Sequence, residues 1–289
     1  MILSVLIPTY NFDCSRLVRD LSRQLPEESE IVVGDDGSTE PESLVGLRSI
    51  KDIPQLRLWR APRNLGRAMI RNRLVEMAQG EWLLFLDSDA QVCSDRFIST
   101  YLDNLETDVV CGGTTSLKAC PSPEVSLRFR YESRYWKDSA AKVRSQKPYA
   151  SFTTFNFMVR RKVFETIRFH EALKGYGHED TLFGKELERN GMTVRHIDNP
   201  MVHAGLDRNE EFLRKTEEAM RSLRTMDAII EDGSRLSVLR SRLERWHLTG
   251  LIRGFHWIAS PFEEWQLRSS RPSLHVFALY KLGYYISLP

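Results

Sequence analysis

Glu81-Trp-Leu-Leu-Phe-Leu-Asp-Ser-Asp89 sets five consecutive apolar residues directly before two carboxylates. An apolar run of that length without polar alternation is a strand buried on both faces, as in a parallel sheet covered by helices. Upstream, Ile70, Leu74 and Met77 fall at i, i+4 and i+7 of a helix, with Gly80 placed to end it. The alternation continues back to the start of the chain. Strand-length runs occupy residues 2–7, 31–34 and 56–59, Leu17, Val18, Leu21 and Leu25 recur at helical spacing, and Pro41 suits the first turn of another helix. Downstream, Ser94 is placed to cap a helix carrying Phe97, Tyr101 and Leu105, and residues 109–111 form a further strand. Strand and helix in turn dictate an α/β fold, a Rossmann-like, mostly parallel sheet flanked by helices.

The second half is less regular. Residues 149–159 read as extended, and Gly175-Tyr-Gly-His-Glu-Asp180 leads into a helix carrying Phe183 and Leu187 that Gly191 ends. A short strand at 194–197 precedes Pro200, and residues 209–230 form an amphipathic helix with Phe212, Thr216, Ala219, Leu223 and Ile230 near one stripe. Beyond Gly233 eight cations face three anions, interleaved with aromatics that include Trp246, Phe255, Trp257 and Trp265.

Composition narrows the function classes. With 289 residues, 42% hydrophobic and 28% charged, the chain sustains one large core with an appendage and is not disordered. A net charge of +2 gives no global attraction to nucleic acid, so no such partner is expected. Cys14, Cys93, Cys111 and Cys120 lack the spacing of a zinc site or a disulfide framework, which fits a reducing compartment. Pro8 interrupts the apolar N-terminus, and no later stretch has the roughly 18 uninterrupted apolar residues of a membrane span. The expected location is cytoplasmic, or peripheral on the inner membrane face.

Carboxylates then mark the chemistry. Asp35-Asp36-Gly37-Ser38 ends the second strand and Asp87-Ser88-Asp89 ends the Trp82 strand, and ligands of open α/β sheets bind at such carboxyl ends. An Asp-x-Asp there offers hard oxygens to Mg²⁺ or Mn²⁺ and leaves positions for a diphosphate. Glu179-Asp180 sits at a helix N-terminus behind the glycines. Each has an ordinary alternative: a capped turn, a solvated acidic pair, or acids favoured by the helix dipole.

Five elements in register resemble glycosyltransferase family 2 and its GT-A fold over roughly residues 1 to 205: Ser4-Val-Leu-Ile-Pro-Thr-Tyr-Asn11, Ile31-Val-Val-Gly-Asp-Asp-Gly-Ser38, Asn64-Leu-Gly66 with Arg71-Asn72, Leu86-Asp-Ser-Asp89, and Gly177-His-Glu-Asp180. The resemblance implies a nucleotide-diphosphate sugar donor, with a UDP-sugar expected, and a glycan or lipid-linked glycan acceptor, as in bacterial surface-polysaccharide assembly. It implies that Asp36 accepts a hydrogen bond from the donor's base, that Pro8 and Tyr10 line the same pocket, and that Asn64, Gly66 and Arg71 lie by the nucleotide. Asp87 would face the ribose or the metal, Asp89 would bind Mn²⁺ or Mg²⁺, and His203 would complete the shell. Asp180 would be the catalytic base, with Glu179 holding the acceptor. On this reading residues 1–232 are the catalytic domain, with a nucleotide-sugar half at 1–115 and an acceptor half at 116–232, and 233–289 is a basic, aromatic, helical appendage.

One base and no second nucleophile predict direct displacement with inversion. Ala90 stands where many relatives carry another carboxylate, so the sequence does not choose between Mn²⁺ and Mg²⁺; Arg242 replaces the glutamine of the processive Gln-x-x-Arg-Trp motif before Arg245-Trp246, which together with the missing membrane spans argues for single-sugar transfer. A sugar nucleotidyltransferase would need a glycine-rich phosphate loop, which Pro8-Thr-Tyr-Asn11 is not. A non-catalytic sugar-nucleotide-binding module would be expected to have lost its acids. His178, His196, Arg63 and Arg67 carry weaker claims, and Asn156 is either an acceptor contact or a satisfied strand residue. Residues 233–289 read either as a peripheral membrane contact or as packed helices with arginines outward.

Overall fold

The computed structural model describes residues 2–135, 139–171, 177, 179–227 and 235–289. In chain order the elements are β1 (Leu3–Thr9), α1 (Ser15–Ser22), β2 (Ser29–Asp35), α2 (Pro41–Arg48), β3 (Leu56–Arg60), α3 (Arg67–Met77), β4 (Trp82–Leu86), β5 (Ala90–Gln91), α4 (Phe97–Leu102), β6 (Val109–Cys111) and β7 (Thr114–Thr115). They continue with α5 (Ser126–Tyr135), α6 (Ala141–Arg144), β8 (Asn156–Arg160), α7 (Glu179–Arg189), β9 (Val194–His196), β10 (Met201–His203), α8 (Asn209–Asp227), α9 (Arg235–Arg245), α10 (Thr249–Arg268) and α11 (Leu274–Ser287). The chain divides into two compact units, one of residues 1–116, 136–173 and 179–205, the other of 117–135, 174–178 and 206–289. The expected boundary at 232–233, His178 and Ile230 lie outside the described residues.

The first unit is built on a seven-stranded sheet in the order β3-β2-β1-β4-β8-β6-β9. β1 pairs in parallel with β2 and β4, as the unbroken apolar runs require, whereas β8 runs antiparallel to both β4 and β6. Along β1, Leu3, Val5 and Ile7 enter one buried cluster and Leu6 the other, so both faces of the sheet are core. In the second cluster Phe85 stacks on Phe157 at 4.9 Å and Phe169 on Phe183 at 4.5 Å.

This register sets the site. Thr9 pairs with Asp35 and Leu6 with Phe85, so the carboxyl ends of β1, β2 and β4 emerge on one edge. The reversed β8 starts on that edge, Asn156 opposite Leu86. A small sheet of order β5-β10-β7 extends from it. Gly80 has a different role from the expected helix stop: α3 ends at Met77, and a Cβ on Gly80 would lie 2.4 Å from the Ser4 backbone nitrogen. Glycine is needed there for close approach to β1. Gly191 does end α7 as expected, with φ +64°.

The second unit is helical. Leu127 of α5, Phe212 and Leu213 of α8, Leu267 of α10 and Phe277 and Tyr280 of α11 form its core. Phe212, Thr216 and Leu223 face inward, as the stripe on the expected 209–230 helix required.

Candidate active site

The β2 turn is built by its own acids. Asp35 accepts from the Ser38 amide at 2.9 Å and pairs with Arg60 at 3.2 Å, which closes the turn. Asp36 reaches the next loop, accepting from the Leu65 and Gly66 amides at 2.7 and 3.0 Å. It therefore clamps the Asn64–Gly66 segment to the sheet edge, and burial, outweighing those two donors, raises its carboxyl above the ordinary range. Gly66 adopts φ +93° at the start of α3, with open space where a Cβ would stand. Asn64 and Tyr10 are exposed, and Pro8 lies in β1 opposite Gly34. The residues expected around a nucleotide thus collect at the ends of β1 and β2.

A second group surrounds Arg71, whose side chain is only 2% exposed. A buried guanidinium needs partners. Nη2 donates to Asp87 Oδ1 at 2.7 Å, Nη1 lies 3.7 Å from Glu179 Oε1, and the Phe169 ring centroid is 5.7 Å away. Arg67 donates to the same Glu179 oxygen at 3.3 Å, so two arginines meet one carboxylate. Burial works against the Glu179 charge, but Arg67 and Arg71 outweigh it and hold the carboxyl below its usual range. Asp180 next to it is pushed the other way, up to about 7, first by burial, then by the Glu179 charge and by Asp87, against the pull of Arg71. The pair is poised with one acid ionised and its neighbour titrating near neutrality. Thr154 Oγ1 donates to Asp180 Oδ1 at 3.5 Å.

The third group depends on the small sheet. β10 pairs with β5 so that His203 lies opposite Ala90, and the Ala204 amide donates to the Asp89 carbonyl at 3.0 Å. That pairing brings His203 Nε2 within 3.0 Å of Asp89 Oδ2, with the Phe155 ring edge-on to the imidazole. The two atoms are at hydrogen-bond distance, and the same spacing would let both ligate one divalent ion, since ligands about 2.1 Å from a cation at right angles are about 3 Å apart. To serve as a ligand, Nε2 must present its lone pair and carry the hydrogen on Nδ1. Among the described residues no cluster of three His, Cys, Asp or Glu side chains forms a ready-made cage.

Asp87 links the groups. Its amide donates to the Phe155 carbonyl at 3.1 Å, its carboxylate meets Arg71, and its charge acts on Asp180. Asp87, Asp89, Arg71, Glu179, Asp180 and His203 thus belong to one neighbourhood of the first unit.

Other candidates have structural partners. Asn156 donates to the Gly113 and Asn199 carbonyls, both at 2.9 Å, and accepts from Tyr101 Oη at 2.7 Å, which makes it a satisfied strand residue. His196 accepts from Arg144 at 2.7 Å through Nδ1 and faces the Pro148 carbonyl through Nε2, while burial lowers its pKa. Arg63 is exposed. Gly205 escaped the sequence reading: a Cβ there would lie 2.5 Å from Asp89 Cβ and 2.7 Å from Oδ2. No turn motif or positive φ signals it.

The family model for Glycosyl transferase family 2 matches residues 4–168. An uncharacterized glycosyltransferase of Haemophilus influenzae is 31% identical over 97 residues, 33% of this chain and 39% of that protein. YfnE of Bacillus subtilis, also an uncharacterized glycosyltransferase, is 36% identical over 116 residues, 38% of this chain and 29% of that protein. The matches span about a third of these relatives' own length. Among solved structures, S. aureus TarS 1-349 in complex with UDP aligns with TM-score 0.55 and 20% identity over 99% of this chain and 89% of that one. Mannosyltransferase PcManGT from Pyrobaculum calidifontis, in complex with GDP-Man and Mn²⁺, aligns with TM-score 0.54 and 16% identity over 78% of this chain and 63% of that one.

Proposed function

Because the chain belongs to glycosyl transferase family 2, we propose that it is a metal-dependent, inverting glycosyltransferase that moves one sugar from a nucleotide-diphosphate donor to an acceptor hydroxyl. The observation that carries the proposal is the buried Arg71 joining Asp87, at the end of β4, to Glu179 beside Asp180. It joins, on our reading, the acid that would face the donor to the pair that would face the acceptor.

Asp89 and His203, with Asp87, would hold Mn²⁺ or Mg²⁺. When bound, the ion would neutralise charge developing on the diphosphate leaving group, so no general acid is required there. Asp36 would position the base, beside Pro8, Tyr10, Asn64 and Gly66, and Arg71 fixes Asp87. Asp180 takes the proton of the attacking hydroxyl, a task suited to a carboxyl titrating near 7 that keeps partial access to solvent. Glu179, held ionised by its arginines, orients the acceptor and sustains the raised Asp180 value. Neighbouring structures contain UDP-GlcNAc in one case and GDP-Man with Mn²⁺ in another, which supports a nucleotide-sugar donor, with UDP our choice. The acceptor is a glycan or lipid-linked glycan, and surface-polysaccharide assembly is the setting we favour.

Incubating the full chain with Mn²⁺, a panel of nucleotide sugars and glycan acceptors, and measuring released nucleoside diphosphate, tests the reading. Release that needs the metal and fails in Asp89→Asn and Asp180→Asn is expected, with a product of inverted anomeric configuration. Released pyrophosphate would indicate a nucleotidyltransferase, and binding without release from any donor would indicate a non-catalytic module.

A further inference from the structure

α10 is folded with its apolar side outward. Its buried residues are His256, Glu263 and Leu267, with His256 Nδ1 3.3 Å from Glu263 Oε2. Its exposed positions include Leu251, Phe255, Ile258, Phe262 and Trp265, at i, i+4, i+7, i+11 and i+14, and Trp257, 80% exposed, lies on the flank of the helix about 120° round from their centre line. A helix that docks only within its own bundle does the reverse, because exposed aromatic area costs solvation with no return. The stripe runs about 21 Å along the helix at about 1.5 Å per residue.

The charges around it are asymmetric. Arg242 and Arg245 of α9 are exposed before the stripe, Arg253 beside it, and Arg271 after it. The acids nearby are engaged: Glu244 with Arg240 at 2.7 Å, Glu264 with Arg268 at 2.9 Å, and Glu263 buried. No residue of the stripe is itself charged. A second copy of the chain docked symmetrically on this face would set arginine rim against arginine rim. An anionic lipid surface satisfies both features, with aromatics entering the acyl boundary and arginines meeting phosphates. Among the described residues no helix is long and apolar enough to cross a membrane, so contact through α10 would be in-plane.

We propose that the outward face of α10 is a membrane-docking surface for anionic lipid, with Phe255, Phe262 and Trp265 as its inserted anchors. The inference is independent of the proposed activity, since its readout is lipid binding. Full-length protein is floated with vesicles of phosphatidylcholine containing about 30 mol% phosphatidylglycerol, and with phosphatidylcholine alone. The expected result is flotation with the anionic vesicles, at least about tenfold weaker on neutral ones and reduced by about 0.5 M salt. The double variant Phe262→Ser/Trp265→Ser should bind at least about tenfold more weakly at an unchanged melting temperature, because both residues are exposed in the free chain. Absence of flotation on anionic vesicles, or equal flotation by the double variant, overturns the proposal. So does a concentration-dependent dimer that the variant abolishes without any vesicle binding, which would assign the face to a second copy.

Discussion

Gly205→Ala tests whether the Asp89–His203 pair is held in place by space alone. The backbone at Gly205 lies outside the left-handed region, so alanine carries no conformational penalty there and the only new object is a methyl group. That methyl would stand 2.5 Å from Asp89 Cβ, 3.0 Å from Cγ and 2.7 Å from Oδ2. Comfortable carbon contacts begin near about 3.5 Å, so Asp89 must retreat by about 1 Å. A displacement of that size costs about 10²-fold when the group helps set a reacting geometry. Mn²⁺ affinity, measured by calorimetry with a nucleoside diphosphate present, should fall at least about tenfold, and nucleotide release about 10²-fold. Gly254→Ala, with nothing within 4 Å of its added Cβ, is the control and should leave both unchanged. Wild-type Mn²⁺ affinity and turnover in Gly205→Ala, with an unaltered melting temperature, would refute the claim that this glycine sets the Asp89 carboxylate.

Asp180→Asn should lower turnover by about 10²- to 10⁴-fold while nucleotide-sugar binding, followed by thermal shift, persists. In the wild type kcat/KM should rise with pH through about 7 as Asp180 loses its proton, and Glu179→Gln should move that inflection lower by removing the neighbouring negative charge. Linkage gives a second readout. The folded Asp180 carboxyl titrates at about 7, against about 4 when unfolded, so the wild type loses stability as pH rises through that window and Asp180→Asn does not. The melting temperature of Asp180→Asn relative to wild type should therefore climb between about pH 4 and 7; a constant difference would exclude a raised carboxyl. Arg71→Met should destabilise by about 3–5 kcal/mol in urea titration, since it leaves Asp87 and Glu179 without their buried cation; a loss under about 1 kcal/mol would show that neither needs it.

How far the chain could be read without coordinates depended on whether the signal was local. Strands β1, β2 and β4 are buried on both faces, so their apolar runs are continuous and their ends, at Asp35 and Asp87, are easily placed. The reversal of β8 left no such mark, because an apolar strand reads alike in either direction. Contacts made across the chain were less legible still. Arg67, one of the weaker candidates, meets Glu179 across 112 residues, and Asp89 meets His203 across 114 through a short strand pairing with no periodic pattern. Gly205 was silent because its reason is a neighbour's volume.

α10 presents the converse case. Its 3.6-residue stripe of Leu251, Phe255, Ile258, Phe262 and Trp265 is plain in the sequence, yet periodicity states only that one face is apolar and not which way that face points. Ordinary soluble packing turns such a face inward and leaves arginines outside. Here the opposite face, with the His256–Glu263 pair and Leu267, is the one withdrawn from water. Burying an imidazole and a carboxylate while exposing two tryptophans and two phenylalanines runs against solvation on both sides of the helix. Such an orientation is sustained when the outward face has a low-dielectric partner of its own, and the surrounding arginines select an anionic one.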